Sequence, residues 1–141
     1  MAKRTEIMGQ RMWRQAESDL ASARMMMQPG GFYVAANLAH QAAEKALKAA
    51  HWYIRGEEPP WTHHIRDLPE RIVDKVEDIP SEILAEVAAL DPMFERSRYP
   101  SSREEEPIPV DLVAREDAED AIQAAEGIMA WLTKLLQASP N

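Results

Sequence analysis

The chain has 141 residues, no cysteine and a formal net charge of −8. That length suits one domain with a continuous core, while the missing cysteine excludes a disulfide framework and a thiolate metal site. The acidic balance argues against a whole-surface attraction to nucleic acid, which needs clustered Lys and Arg.

The start, Met1-Ala2-Lys3-Arg4-Thr5-Glu6, leads into no apolar signal core. No stretch approaches the ~18–20 apolar residues of a membrane span. A cytoplasmic protein with no membrane partner is expected.

A first helix is predicted over about residues 8–28. Trp13, Ala16, Leu20, Ala23 and Met27 recur there at steps of three and four. Pro29-Gly30-Gly31 stops it. A second helix follows over about residues 32–55. Its apolar residues, mostly alanine, cover more than one face, and its polar ones fall on a single line: Asn37, His40, Gln41, Glu44, Lys48 and His51. A helix this apolar with one polar seam belongs at the centre of a bundle.

Gly56-Glu57-Glu58-Pro59-Pro60 ends that helix. The loop Trp61-Thr62-His63-His64 then leads into an expected short third helix carrying Leu68, Ile72 and Val76, with Pro69 near its start. Asp78 or Ser81 caps a fourth helix with Ile83, Leu84, Val87 and Leu90. Residues 94–109 read as irregular and charged. A last helix begins near Asp111 and carries Ala118, Ala121, Ile122, Ala125, Met129, Leu132 and Leu136. The expected fold is all-α: an antiparallel up-and-down bundle of three long helices and two shorter ones. It forms a single domain over 1–141, with a loose tail at 138–141.

Few constellations point to chemistry. His40 and Glu44 share a helix face, and His63 and His64 are the residues able to extend an oxygen and nitrogen ligand set. No second carboxylate-x-x-His repeat accompanies them, so no metal site is expected. Nucleophile elbows and phosphate-cradling glycine loops are absent, and no cofactor is expected. Glu44 and Lys48 form a favourable i, i+4 pair. In Arg96-Ser97-Arg98-Tyr99-Pro100, two arginine forks and a tyrosine suit phosphate oxygens and a stacked base. Composition alone favours a local role, with Tyr99 on the bundle and the arginines neutralising Glu95 and Glu104 to Glu106.

Several segments together resemble the HEPN family (higher eukaryotes and prokaryotes nucleotide-binding). Gly31-Phe32-Tyr33-Val34-Ala35-Ala36, followed by His40-Gln41-Ala42-Ala43-Glu44-Lys45-Ala46-Leu47-Lys48-Ala49, is similar to its second-helix signature. Trp13 with Asp19-Leu20 and Ala23, His64 with Leu68, Leu90-Asp91, Arg98-Tyr99-Pro100, and Ala121-Ile122 with Trp131-Leu132 follow in the family's order. The resemblance implies a helical bundle that dimerises, here a homodimer. It also implies a small nucleotidyltransferase partner in a toxin–antitoxin pair, and metal-independent ribonuclease activity in active members. Their sites join an arginine to a histidine four to six residues later, across a dimer cleft.

This chain departs from that spacing. After Arg96 the matching positions hold Ser101, Ser102 and Arg103, and after Arg98 they hold Arg103, Glu104 and Glu105. The first expectation is therefore a binding module for a nucleotide or RNA phosphate. Its cleft is built from Gln41, Glu44 and Lys48, with Arg96, Arg98 and Tyr99 opposite. The alternatives are a divergent ribonuclease using Arg98, Tyr99 and His64, and a purely structural dimerisation bundle.

Overall fold

The computed structural model describes residues 3–138. Helix α1 is Arg4–Met26, and its buried face includes Ala16, Asp19, Leu20 and Ala23. The chain reverses at Gly30, whose φ of +85° lies in the left-handed region. Helix α2, Phe32–Arg55, spans the range its composition predicts. Most of its buried positions are alanines. These short side chains let α1 and α6 both pack closely along it. The same closeness holds at Gly9 on α1, where an added Cβ would lie 2.9 Å from the Tyr53 ring. Gly56, at φ +66°, ends α2 in a left-handed cap.

The expected third helix does not form. Ile65–Asp67, Pro69–Arg71 and Val76–Asp78 are separate 3-10 turns instead. Pro69 has no N–H to give, and its ring would clash with the Ile65 carbonyl in an α-helix. That carbonyl accepts instead from the Leu68 N–H at 3.1 Å, an i→i+3 bond. Ile65, Leu68, Ile72 and Val73 are nevertheless buried, so the segment seals the core without a helical period.

Helix α3 is Ser81–Leu90, preceded by Pro80, and α4 is the single turn Met93–Arg96. Helix α5 is Pro109–Leu112, and α6 is Arg115–Ala138. The last long helix starts later than its periodicity suggests because Val113 is extended, at φ −89° and ψ 105°. Asp117 then accepts the Ala114 N–H at 2.9 Å and starts α6. Ala138 closes α6, and the rest of the expected tail, 139–141, lies outside the described residues.

Helices α1, α2 and α6 form the antiparallel bundle, and α3 packs on α6. Leu47, Leu90, Ile128 and Leu132 sit at its dry centre. Among the described residues there is no strand, and no helix is long and apolar enough to cross a membrane.

Candidate functional site

Polar residues of α2 leave the bundle in two directions. Towards α1, Lys45 donates to Asp19 at 2.6 Å and to Gln41 at 3.3 Å. Gln15 also donates to Asp19, at 2.9 Å. Gln41 donates to Asn37, and Asn37 donates to the Ser97 hydroxyl at 3.3 Å. Ser97 in turn donates to the Met93 carbonyl. This ladder ties α1, α2 and α4 together.

Towards the 56–64 loop and α4, Glu44 is the hub. It is 8% exposed, so its charge needs partners. Lys48 donates to its Oε2 at 3.0 Å, and His63 Nδ1 lies 3.1 Å from the same oxygen. The His63 ring itself is more than half exposed. It stacks on Phe94 at 4.7 Å between centroids, with the planes 11° apart. The Arg98 guanidinium lies 4.4 Å from the centroid of the same Phe94 ring. Lys48, Glu44, His63, Phe94 and Arg98 thus form one continuous chain of contacts. Its imidazole is oriented by a carboxylate, and its guanidinium rests on an aromatic ring.

Beneath this chain lies His40, fully buried and tilted against Phe94 at 5.6 Å. Burial lowers its pKa from 6.5 to about 4, against the opposing pull of Glu44 and Asp91. The ring is therefore neutral at pH 7. Asp91, also buried, faces His64 at 3.7 Å and Arg66 at 3.5 Å.

Among the described residues, His40 Nδ1 and Nε2, Asp91 Oδ1, Arg98 Nε and Glu86 Oε2 are buried without a hydrogen-bond partner. All but the last belong to this one corner. Each such atom costs about 1–3 kcal/mol when nothing answers it, so their concentration makes this corner the candidate site. Arg98 also has no carboxylate within ion-pair distance among the described residues, unlike Lys45, Lys48, Arg55 and Arg66. A partly buried guanidinium left open in this way is suited to a phosphate oxygen.

The six residues singled out from sequence go to three places. Glu44, Lys48 and Arg98 meet in the Phe94 corner. Gln41 stands in the Asp19–Lys45 ladder. Arg96 and Tyr99 line an adjoining open groove of about 340 Å³ with Pro100, Glu106 and Leu112, which Phe94 borders and Arg98 does not. Tyr99 is 61% exposed there. His51, on the same α2 line, turns to the Glu57 carbonyl at 3.1 Å and anchors the loop. Phe94, Asp91 and His63 joined the corner with no helical spacing to announce them. Their warning lay in a histidine pair in a loop, an aromatic near two arginines, and the Leu90-Asp91 step of the family resemblance. The described His, Cys, Asp and Glu residues form no group of three suited to a metal ion.

A HEPN domain model matches residues 10–136. The chain belongs to the HEPN domain family. An archaeal HEPN homologue of known structure is 30% identical, with a TM-score of 0.70, over 96% of this chain and 99% of that one. A protein from Thermus thermophilus is 28% identical, with a TM-score of 0.79, over 89% and 96% of the two chains. A HEPN domain protein from Thermotoga maritima is 26% identical, with a TM-score of 0.69, over 92% and 99%. No curated protein matches significantly. This HEPN chain has no histidine four to six residues after Arg98; His63, from the loop after α2, shares the Phe94 ring with it instead.

Proposed function

We propose that this HEPN domain binds a nucleotide or RNA phosphate at Arg98 and His63. It acts as a homodimer beside a small nucleotidyltransferase protein, in a pair of toxin–antitoxin type. The observation that carries the binding reading is the Arg98 guanidinium, set on Phe94 without a carboxylate partner among the described residues, with an exposed imidazole that Glu44 orients stacked on the same ring. The family supports the dimer and the partner. A purely structural bundle gives no reason to gather unpaired polar atoms of His40, Asp91 and Arg98 at one end.

Calorimetric titration of a short RNA into wild type and Arg98→Ala tests the binding reading. Wild type should bind, and the variant should bind at least about tenfold more weakly, in line with the loss of a charge-assisted contact. Equal affinities, or no heat from wild type, would overturn it. Co-purification with the product of a neighbouring nucleotidyltransferase gene tests the pairing.

The Glu44–His63 contact favours a second reading, a metal-independent ribonuclease. His63 would take the proton of a ribose 2′-hydroxyl while the 2′-oxygen attacks phosphorus. The 5′-oxygen would leave with a proton from solvent, and Arg98 would stabilise the phosphorane charge. RNA cleavage that persists in EDTA and disappears in His63→Ala supports this reading. Cleavage unchanged in that variant removes it.

A further inference from the structure

Next to His63 lies a cavity of about 370 Å³ that neither Phe94 nor Arg98 lines. Met8 and Met12 of α1, Lys48 and Trp52 of α2, and residues 58–63 line it. Its volume is at the small-ligand end of binding pockets. Most of the lining is apolar, with Lys48, Glu58, Thr62 and His63 as the charged and hydrogen-bonding groups. Two of these, Lys48 and His63, are also the partners of Glu44 in the site above.

Trp61 stands at this cavity and is 92% exposed. An indole in water is costly to leave uncovered, and this one is not on a slack loop. Gly56 caps α2, and His51 holds the Glu57 carbonyl. Pro59 is buried, and the Thr62 N–H donates to the Pro60 carbonyl at 3.0 Å. The Thr62 hydroxyl accepts the His64 N–H at 3.1 Å. The ring is therefore presented by an ordered backbone, which lowers the entropy lost when something covers it.

We propose that this cavity is a nucleobase subsite, in which Trp61 stacks on a base of the RNA strand whose phosphate is held by Arg98 and His63. The inference rests on the phosphate-binding reading above and adds to it the requirement for a base. A flat π-system suits an indole of this exposure. Met8 and Met12 supply a pliable floor, since thioethers adjust to planar guests. The shared lining by Lys48 and His63 ties the subsite to the phosphate end.

The test compares a pentanucleotide RNA with its abasic counterpart on wild type, Trp61→Ala, Trp61→Phe and Arg98→Ala. Wild type should prefer the RNA by about five- to hundredfold, the range of one stacked base. Trp61→Ala should abolish that preference and leave abasic binding unchanged, while Trp61→Phe keeps most of it. Arg98→Ala should weaken both ligands.

RNA binding by Trp61→Ala equal to wild type, alongside a loss in Arg98→Ala, overturns the subsite and spares the phosphate reading. Equal losses for both ligands in Trp61→Ala also overturn the subsite. So does a change in the mass of the assembly in solution without any effect on RNA binding, which would make Trp61 a protein contact. Failure of wild type to bind either ligand overturns both. The exposure of Trp61 means that folding should survive its replacement, and a thermal melt of each variant checks this.

Discussion

Along the edge of α2 that faces α1, Lys45 bridges Asp19 and Gln41, and Gln41 passes the chain of bonds to Asn37 and Ser97. Along the edge that faces the loop and α4, Glu44 gathers Lys48 and His63. Yet both ring nitrogens of His40, one oxygen of Asp91 and the Arg98 Nε are left unpaired there. The residue types are alike on the two edges. On the first, no fully buried side-chain nitrogen or oxygen lacks a partner among the described residues, which is how buried polar groups act as structural cement. On the second, unanswered groups collect around the ring on which an exposed imidazole stacks, as the proposed ligand site would require. Local strain and incomplete bonding collect at functional positions because something other than stability maintains them.

The sharpest way to break this contrast is Glu44→Gln. It keeps the side chain's shape and removes the charge shared by His63 and Lys48. If the corner cleaves RNA, the rate should fall by about 10²–10⁴-fold, the usual worth of a positioned acid or base. Cleavage assays in EDTA read this, and an unchanged rate would deny the carboxylate its role.

The next effect is on stability and comes from His40. Its folded pKa of about 4 lies below the ordinary 6.5, so the unfolded chain takes up the proton first. Its contribution is complete above pH 6.5, declines as pH falls towards 4, and is level below that. The change is on the order of 3 kcal/mol, from ~1.36 kcal/mol per pKa unit. Urea unfolding at pH 7 and pH 4.5 should show a smaller acid loss in His40→Leu than in wild type. Parallel losses would mean that the ring is protonated where it lies.

Smaller again is Asp19→Ala on the paired edge. It should cost about 1–3 kcal/mol of stability by stranding Lys45, and leave RNA affinity where it was. Chemical denaturation and the RNA titration together read both halves. A loss of affinity as large as that of Arg98→Ala would erase the difference between the two edges.

Much of the helical frame was legible in the chain order of its residues. The alanine-rich run with one polar line places α2 at the bundle centre, and Pro29-Gly30-Gly31 and Gly56 mark its limits. These signals are local: a helical period and a glycine able to take positive φ depend only on neighbours a few residues away. The segment after His64 was misread for a related reason. Leu68, Ile72 and Val76 keep a helical step of four, yet Pro69 breaks the bonding that would use it. Ile65, Leu68 and Ile72 are buried from 3-10 turns instead.

What the sequence determined by itself was an all-helical bundle with its long helices, its central polar line and its kinship to HEPN domains. Only the tertiary structure divided that polar line, sending Gln41 to Asp19's ladder and Glu44 to His63. It also set Arg98 over the ring of Phe94 while Arg96 and Tyr99 line the groove that the same residue borders. Helical period says which residues share a face. Which neighbour that face meets depends on a ring such as Phe94, brought from far along the chain by the packing of α4 against α2.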